Sequence, residues 1–163
     1  MITIDTHRKT KDGKVIQGCS HTSIILNHKE RNAIIMKSVA DLRKFDFDSI
    51  ACCGTSGLLV VPQIAEILDK HIVVIRKPND KRYSIFDIEG VTPYRYIIVD
   101  DLTCSGNTLK LIKKTLKNEC PRSICVGAYF YMPNECAYAG SDGSKLFLRD
   151  FGIPALNPFP QRT

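Results

Sequence analysis

The stretch YRYIIVDDLTCSGNTLKLIKKTL, residues 94–116, decides the fold class of this chain. A run of apolar and β-branched residues ends at two adjacent carboxylates, Asp100 and Asp101. A small polar turn follows, and apolar residues then recur at helical spacing. The pattern predicts a buried strand at 95–101, a turn, and an amphipathic helix at 107–118, which is the strand–helix unit of an α/β protein.

Strands and helices alternate along the rest of the chain. Short runs rich in β-branched residues predict strands, and apolar residues three or four positions apart predict helices. We predict further strands at 49–53, 72–76 and 123–131, and helices at 29–45 and 58–70, with Pro62 near the first turn of the second of these helices. Such alternation predicts an α/β fold with a central, mostly parallel, twisted sheet flanked by helices.

The two ends of the chain are less regular. Residues 14–17 and 21–26 predict a β-hairpin around Gly18. Short strands are expected near 145–148 and 153–157 in a tail that otherwise has no clear period. No repeat or low-complexity linker separates these segments from the centre of the chain.

The composition fits one globular domain, residues 1–163, with its core at about 29–131. No stretch is long and apolar enough to span a membrane. Residues 1–15 lack the apolar core of a signal peptide, and the seven cysteines include no CxxC pair, so we expect a cytoplasmic protein. The net charge of +6 fits solubility, nucleic-acid binding or a small polyanionic ligand, and the scattered basic residues favour the small ligand.

The residues around the acidic pair suit a sugar phosphate. In parallel α/β sheets ligands gather at the carboxyl ends of strands, where Asp100 and Asp101 stand. The next turn leads into a helix N-terminus, whose unpaired N–H groups attract anions, and Gly106 lets the backbone approach a ligand closely. Carboxylates suit sugar hydroxyls or Mg²⁺. Two acids at a strand end also occur in receiver domains and nucleotide hydrolases, which lack this phosphate-binding turn.

The segment IIVDDLTCSGNTL, residues 97–109, resembles the phosphoribosyl-pyrophosphate (PRPP) motif of type I phosphoribosyltransferases. The resemblance implies that Asp100 and Asp101 are catalytic and bind the ribose hydroxyls and a Mg²⁺ ion. It also implies that the 5′-phosphate is bound by Cys104, Ser105, Gly106, Asn107 and Thr108. Cys104 departs from the Asp or Thr found there in many members, so we assign it no acid–base role.

A second stretch, DSIACCGTSGLLVVPQIAEIL at 48–68, resembles the pyrophosphate-binding region of the same family. The resemblance implies that pyrophosphate contacts backbone N–H groups of Gly54, Thr55, Ser56 and Gly57. Members of the family often have a cis non-proline peptide in this loop, which here would lie between Gly54 and Thr55. Taken alone, a Gly-x-x-Gly turn is equally typical of a plain strand–helix connection.

A third stretch, the long polar segment 77–93, resembles the mobile lid of the orotate-type members. Arg76 and Lys77 match a basic pair that binds pyrophosphate there, and Lys81 or Arg82 matches the catalytic cation of the lid. A cation carried by a closing lid stabilises the negative charge of a departing pyrophosphate. The lid pattern of that group is incomplete here, and a solvated charged loop is the alternative interpretation.

The resemblance implies an enzyme that moves 5-phosphoribosyl from PRPP to a nucleobase, giving a nucleoside 5′-monophosphate and pyrophosphate. Segments 1–28 and 132–163 would form a hood that reads the base, with Tyr131 and Phe147 as base contacts. The lid slightly favours orotate, whereas the C-terminal segment is similar to short purine salvage enzymes. The alternative is a PRPP-sensing regulator without transferase activity. Many family members form homodimers, so the resemblance extends to a homodimer, and we expect no nucleic-acid or membrane partner.

Overall fold

A computed structural model describes residues 7–9, 15–17, 20–78, 86–101, 106–132, 153, 154 and 156. The described residues form seven strands and four helices. In chain order they are β1 (His7–Lys9), β2 (Val15–Gln17), α1 (Ser20–Leu26), α2 (His28–Leu42), β3 (Ser49–Cys53), α3 (Gly54–Leu68), β4 (His71–Ile75), β5 (Ile88–Gly90), β6 (Arg95–Asp100), α4 (Asn107–Glu119) and β7 (Ile124–Phe130).

Five of these strands form the central sheet, in the order β5-β4-β3-β6-β7. Strands β4, β3, β6 and β7 run parallel to one another, and β5 pairs antiparallel with β4 at the edge. The predicted mostly parallel α/β sheet is therefore confirmed. The chain moves from β3 outward to β4 and then returns to the other side of β3 as β6, so the strand order reverses between β3 and β6. Ligands bind at such a topological switch point, outside the carboxyl ends of the strands.

The two faces of the sheet bury separate apolar cores because successive side chains of a strand point to opposite sides. Ile50 and Cys52 of β3 pack with residues of α2 and α3, whereas Ala51 and Cys53 pack with residues of α4. All five residues of β3 are buried, as expected for the central strand of a sheet covered on both faces. This burial explains why four of the five residues of β3 are apolar.

Helix α3 begins earlier than the sequence pattern predicts. The segment predicted to be a loop, Gly54–Gly57, forms its first turn directly after β3. Pro62 therefore lies in the helix interior and not near its start, and that expectation is wrong. The side chain of Pro62 is exposed, so its ring faces outward from the sheet. Proline supplies no N–H to the helical ladder, so the carbonyl one turn earlier loses its usual donor.

The N-terminal hairpin also differs from the prediction. Residues 21–26 belong to α1, and the strand Val15–Gln17 pairs antiparallel with His7–Lys9 instead. Ile25 is buried in the core shared by α2 and α3, with Ile24 packed beside it. A short apolar run fits both a strand and one buried turn of helix, and only the packing against α2 and α3 decides between them.

The long polar segment contains a strand that its sequence did not reveal. Residues Ile88–Gly90 form β5, antiparallel to β4, so the two arms of the predicted lid leave and rejoin the sheet side by side. Gly90 has φ +111°, and a Cβ there would lie 2.1 Å from the carbonyl oxygen of Ile72. Only glycine therefore allows this close pairing of backbones.

The tail adds backbone contacts to the far edge of the sheet. The N–H of Ala128 donates to the carbonyl of Pro154, and the N–H of Leu156 donates to the carbonyl of Ala128. Described residues of the strand predicted near 153–157 make these two backbone hydrogen bonds to β7, but none of them is assigned to a strand, and the strand predicted near 145–148 lies outside the described residues. No helix in the described part of the chain is long and apolar enough to cross a membrane.

We expect Gly57 to be essential for the close packing of α3 on β3. A Cβ at this buried position would lie 2.8 Å from the Cβ of Cys52. Alanine normally stabilises a helix relative to glycine, but here Gly57→Ala should lower the free energy of unfolding by about 1–3 kcal/mol, the usual cost of overpacking. Urea unfolding of the variant measures the change.

Gln63→Ala, on the exposed side of the same helix, is the matched control and should change the free energy of unfolding by less than about 0.5 kcal/mol. A Gly57→Ala protein as stable as the wild type would contradict the packing argument.

Candidate active site

The candidate site lies at the switch point, where two helix-leading turns meet. The first turn of α3 follows β3. In the neighbouring strand, β6, Asp100 is the last residue and Asp101 comes directly after it. The Ser56 hydroxyl lies 3.5 Å from Oδ1 of Asp100, at the outer limit of a hydrogen bond. Adjacent parallel strands therefore bring the predicted pyrophosphate turn and the predicted ribose-binding acids into contact.

Asp100 is almost completely buried, with 6% of its surface exposed. Burial first, and then the charge of the adjacent Asp101, raise the pKa of Asp100 to about 7. The N–H of Asp101 donates to Oδ1 of Asp100 at 3.0 Å and partly offsets this cost. Asp101 is more exposed than Asp100. The site thus holds one protonatable carboxyl inside and one carboxyl at its surface.

The carboxyl pair fits a divalent cation only together with other oxygen ligands. Among the described residues, no group of three or more His, Cys, Asp or Glu side chains is placed to hold a metal ion. Mg²⁺ is commonly held by one or two carboxylates plus the phosphates of a substrate. Asp100 and Asp101 match that donor set, because a cation beside them would also relieve the repulsion that raises the pKa of Asp100.

The first turn of α3 lies next to Lys77, which follows the neighbouring strand β4. Gly54 has φ +74°, and a Cβ built there would lie 3.5 Å from both Cε and Nζ of Lys77. The ammonium of Lys77 therefore stands beside the helix N-terminus, where both favour an anion. The peptide bond between Gly54 and Thr55 is trans, since the described residues contain no cis peptide bond, so the cis bond that the family often has is not found here.

The other residues of this turn have different surroundings. Thr55 is exposed and Ser56 is half-buried, so both can reach a ligand, whereas Gly57 is buried against Cys52. Gly57 thus has a packing role that the sequence did not indicate. Burial and the neighbouring Cys53 and Asp100 raise the pKa of the Cys52 thiol to about 12, which makes it an inert packing residue.

Arg76 is hydrogen-bonded to the segment that re-enters the sheet as β5. Its Nε and one terminal nitrogen donate to Oε1 of Glu89 at 3.0 and 2.8 Å. Its backbone N–H donates to the carbonyl of Asp87. Arg76 therefore joins β4 to β5 in the structure, and its predicted contact with pyrophosphate stays a prediction. Lys81 and Arg82 lie outside the described residues.

The turn after the acids is described in part. Gly106 is the N-cap of α4 with φ +70°, a conformation that glycine adopts without strain. Asn107 is exposed and Thr108 is half-buried at the start of the helix. The described end of the turn thus presents a helix N-terminus, as the sequence predicts. Cys104 and Ser105 lie outside the described residues.

Tyr131, predicted to contact the base, is mostly buried in the core on the α2 and α3 side, with 6% of its surface exposed. Its hydroxyl donates to the carbonyl of Ser56 at 3.1 Å. The observed surroundings give it a structural position behind the site, and the base contact stays a prediction. Phe147 lies outside the described residues. Sequence reasoning missed the contact of Tyr131 with Ser56, because it joins residues 75 positions apart.

The chain is similar to known phosphoribosyltransferases, although no family model matches it. It is 25% identical over 112 residues to the adenine phosphoribosyltransferase of Fervidobacterium nodosum, which covers 59% of this chain. The match spans 66% of that relative's own length, just under two thirds.

Two solved structures share its fold. Orotate phosphoribosyltransferase from Aeropyrum pernix has a TM-score of 0.64 at 15% identity, covering 91% of this chain and 82% of that one. Leishmania donovani UMP synthase has a TM-score of 0.63 at 19% identity, covering 92% of this chain and 32% of that one.

Replacing Asp100 by asparagine should stabilise the protein in a pH-dependent way. Native Asp100 keeps a proton that the unfolded chain, with its ordinary pKa of 3.8, releases. Stability therefore falls as pH rises from about 4 to 7, and the loss is complete above that window. At pH 8, Asp100→Asn should raise Tm by about 4 °C or more, and at pH 4 it should change Tm little. Thermal unfolding by circular dichroism at both pH values measures this.

Asp48→Asn is the control with the opposite sign. Burial alone would raise the pKa of Asp48, but hydrogen bonds from Ser49 and from the N–H groups of Arg95 and Tyr94 outweigh it and lower the pKa. The stability from this carboxylate is present above the unfolded pKa and is lost as pH falls through the folded one. Asp48→Asn should therefore lower Tm at pH 8. An Asp100→Asn protein that is less stable than the wild type at pH 8 would contradict the raised pKa of Asp100.

Fold and sequence point to the same family of proteins. The mostly parallel sheet, the acids at the end of β6 and the helix N-terminus after β3 agree with what the sequence resemblance predicts. The chain is therefore a distant sequence relative of adenine phosphoribosyltransferases that has the type I phosphoribosyltransferase fold.

Proposed function

We propose that this protein transfers the 5-phosphoribosyl group of PRPP to a nucleobase and releases pyrophosphate. One observation carries the proposal. Three groups converge at the switch point: the acidic pair, the N-terminus of α3 and Lys77. The Ser56 hydroxyl connects the N-terminus of α3 to Asp100, and Lys77 lies beside Gly54. This arrangement offers carboxylates for hydroxyl groups next to positive charge and N–H groups for a diphosphate, which is the chemistry that PRPP needs.

Each part of the site has its own task in this reaction. Asp101, at the surface of the site, accepts hydrogen bonds from ribose hydroxyls, and Asp100 fixes its position from below. The N–H groups at the start of α3 and the Lys77 ammonium bind the pyrophosphate. The N-terminus of α4, after Gly106, binds the 5′-phosphate. Holding both ends of the donor fixes the anomeric carbon between them.

The bond from the anomeric carbon to pyrophosphate breaks as the base nitrogen approaches. The ribose then carries positive charge, and the departing pyrophosphate carries negative charge. Asp100 and Asp101 stabilise the former, and Lys77 stabilises the latter. Mg²⁺ bound with the donor at the two carboxylates would neutralise further charge on pyrophosphate. The segment between β4 and β5 excludes water that would otherwise hydrolyse PRPP.

Two acceptors have separate support. The similarity in sequence to an adenine phosphoribosyltransferase favours adenine. The basic pair and lid pattern of residues 76–82 favour orotate. An assay that offers PRPP and Mg²⁺ with adenine or orotate in turn, with hypoxanthine, guanine and uracil as further acceptors, identifies the base by the nucleotide formed. PRPP binding without nucleotide formation from any base would favour the PRPP-sensing regulator.

Asp101→Asn should reduce kcat/KM for PRPP by about 100-fold or more, because it removes a charge that acts on the developing positive ribose. Pyrophosphate release at saturating base measures the loss. Circular dichroism should show an intact fold, since Asp101 lies at the surface of the site. Turnover at the wild-type rate would remove the acidic pair from the mechanism.

Lys77→Ala should lower kcat/KM for PRPP by about 10-fold or more, since the ammonium beside Gly54 stabilises the leaving group. Lys70→Ala is the matched control. Lys70 lies over the Phe47 ring at 5.2 Å, just before β4 and thus at the amino end of the strand whose carboxyl end leads to Lys77. The Lys70→Ala substitution should leave kcat/KM for PRPP within about twofold of the wild type. Equal losses in the two variants would show that net charge alone, and not the position of Lys77, supports the reaction.

A further inference from the structure

Ser56 occupies a junction between the two halves of the candidate site. Its hydroxyl approaches Oδ1 of Asp100, and its carbonyl accepts a hydrogen bond from the hydroxyl of Tyr131 at 3.1 Å. Ser56 is the third residue of α3, so the same carbonyl also serves the helical ladder. A carbonyl has two lone pairs, and the second one is free to take the tyrosine.

Tyr131 reaches both turns of the site from one position at the end of β7. Its backbone N–H donates to the carbonyl of Asp100 at 3.1 Å, and the next residue, Met132, donates to the carbonyl of Asp101 at 2.9 Å. Its side chain crosses to the first turn of α3. One residue therefore fixes the backbone of the acidic pair and the backbone of the pyrophosphate turn relative to each other.

The tyrosine is well suited to a fixed connection. Its ring is buried among apolar side chains, and a buried hydroxyl needs a partner. Burial first, and then Asp101 and Asp100, raise the pKa of Tyr131. The hydroxyl therefore stays protonated at neutral pH and remains a hydrogen-bond donor.

We infer that Tyr131 is a positioning residue, whose hydroxyl holds the first turn of α3 at the distance from the acidic pair that lets one PRPP molecule contact both. This inference rests on the proposed function. A donor fixed at its ribose and its pyrophosphate requires both turns to be placed within about half an ångström. The contact acts through the carbonyl of Ser56, on the side of the first turn of α3 that faces the core.

Tyr131→Phe removes the connecting hydroxyl and keeps the ring. Tyr129→Phe is a closely matched control, because Tyr129 lies two residues earlier, in β7, and faces the same core. It donates its hydroxyl to Asp41 of α2 at 3.0 Å. Both variants lose one hydroxyl from one buried tyrosine. Only the first loses a contact with the site.

The inference is tested by isothermal titration calorimetry, in which each protein is titrated with PRPP in the presence of Mg²⁺. Tyr131→Phe should weaken PRPP binding by about 3- to 10-fold, the usual effect of one lost hydrogen bond, and Tyr129→Phe by less than about twofold. In the transferase assay the KM for PRPP should rise in Tyr131→Phe while the KM for the base stays within about twofold of the wild type. Hydrogen exchange of the ligand-free protein should speed up in the first turn of α3 for Tyr131→Phe alone.

The outcomes separate the inference from the proposed function. Wild-type protein that binds PRPP together with a Tyr131→Phe variant that binds it equally well would overturn the positioning role alone. The same would follow from equal losses of affinity in Tyr131→Phe and Tyr129→Phe, because those would reflect general stability. Wild-type protein that binds no PRPP would overturn the proposed function and the positioning role with it.

Discussion

The parallel pairing of β3 with β6 is the constraint on which the rest of the molecule depends. The two strands lie side by side at the centre of the sheet, and the chain leaves them towards opposite edges. Their carboxyl ends therefore open a crevice between two helix N-termini that no other pair of described strands provides. Strand pairing alone thus brings Ser56 to Asp100, although 44 positions separate them in the chain.

The centre of this crevice is electrostatically costly. A parallel strand covered on both faces buries its last residue, and here that residue is Asp100. Burial and a second carboxyl beside it raise the pKa of Asp100 to about 7, which disfavours its charged form near neutral pH. Positive groups of a ligand complex would remove that cost. The destabilisation is thus localised where binding can offset it, as is common at functional sites.

Packing and function share residues around the site. Gly57 has to be small because α3 crosses close to Cys52, and that approach sets the position of the helix N-terminus. Tyr131 belongs to the apolar core, yet its hydroxyl contacts the turn that faces the site. Arg76 binds Glu89 and so links the end of β4 to β5. The precision of the site therefore derives from the core beneath it as much as from the residues that line it.

The sequence by itself determined the α/β class, the central strands, the acidic pair and the helix N-termini after β3 and β6, because these depend on local periodicity and on residue types at a strand end. It misassigned Ser20–Leu26, overlooked Ile88–Gly90 and placed the start of α3 too late, since short apolar or polar runs fit several conformations until a partner packs against them. Tertiary structure alone decided the burial of Asp100, the approach of Lys77 to Gly54 and the contact of Tyr131 with Ser56. Each of these features depends on segments that are far apart in the chain, and the order of strands in the sheet determines which segments become neighbours.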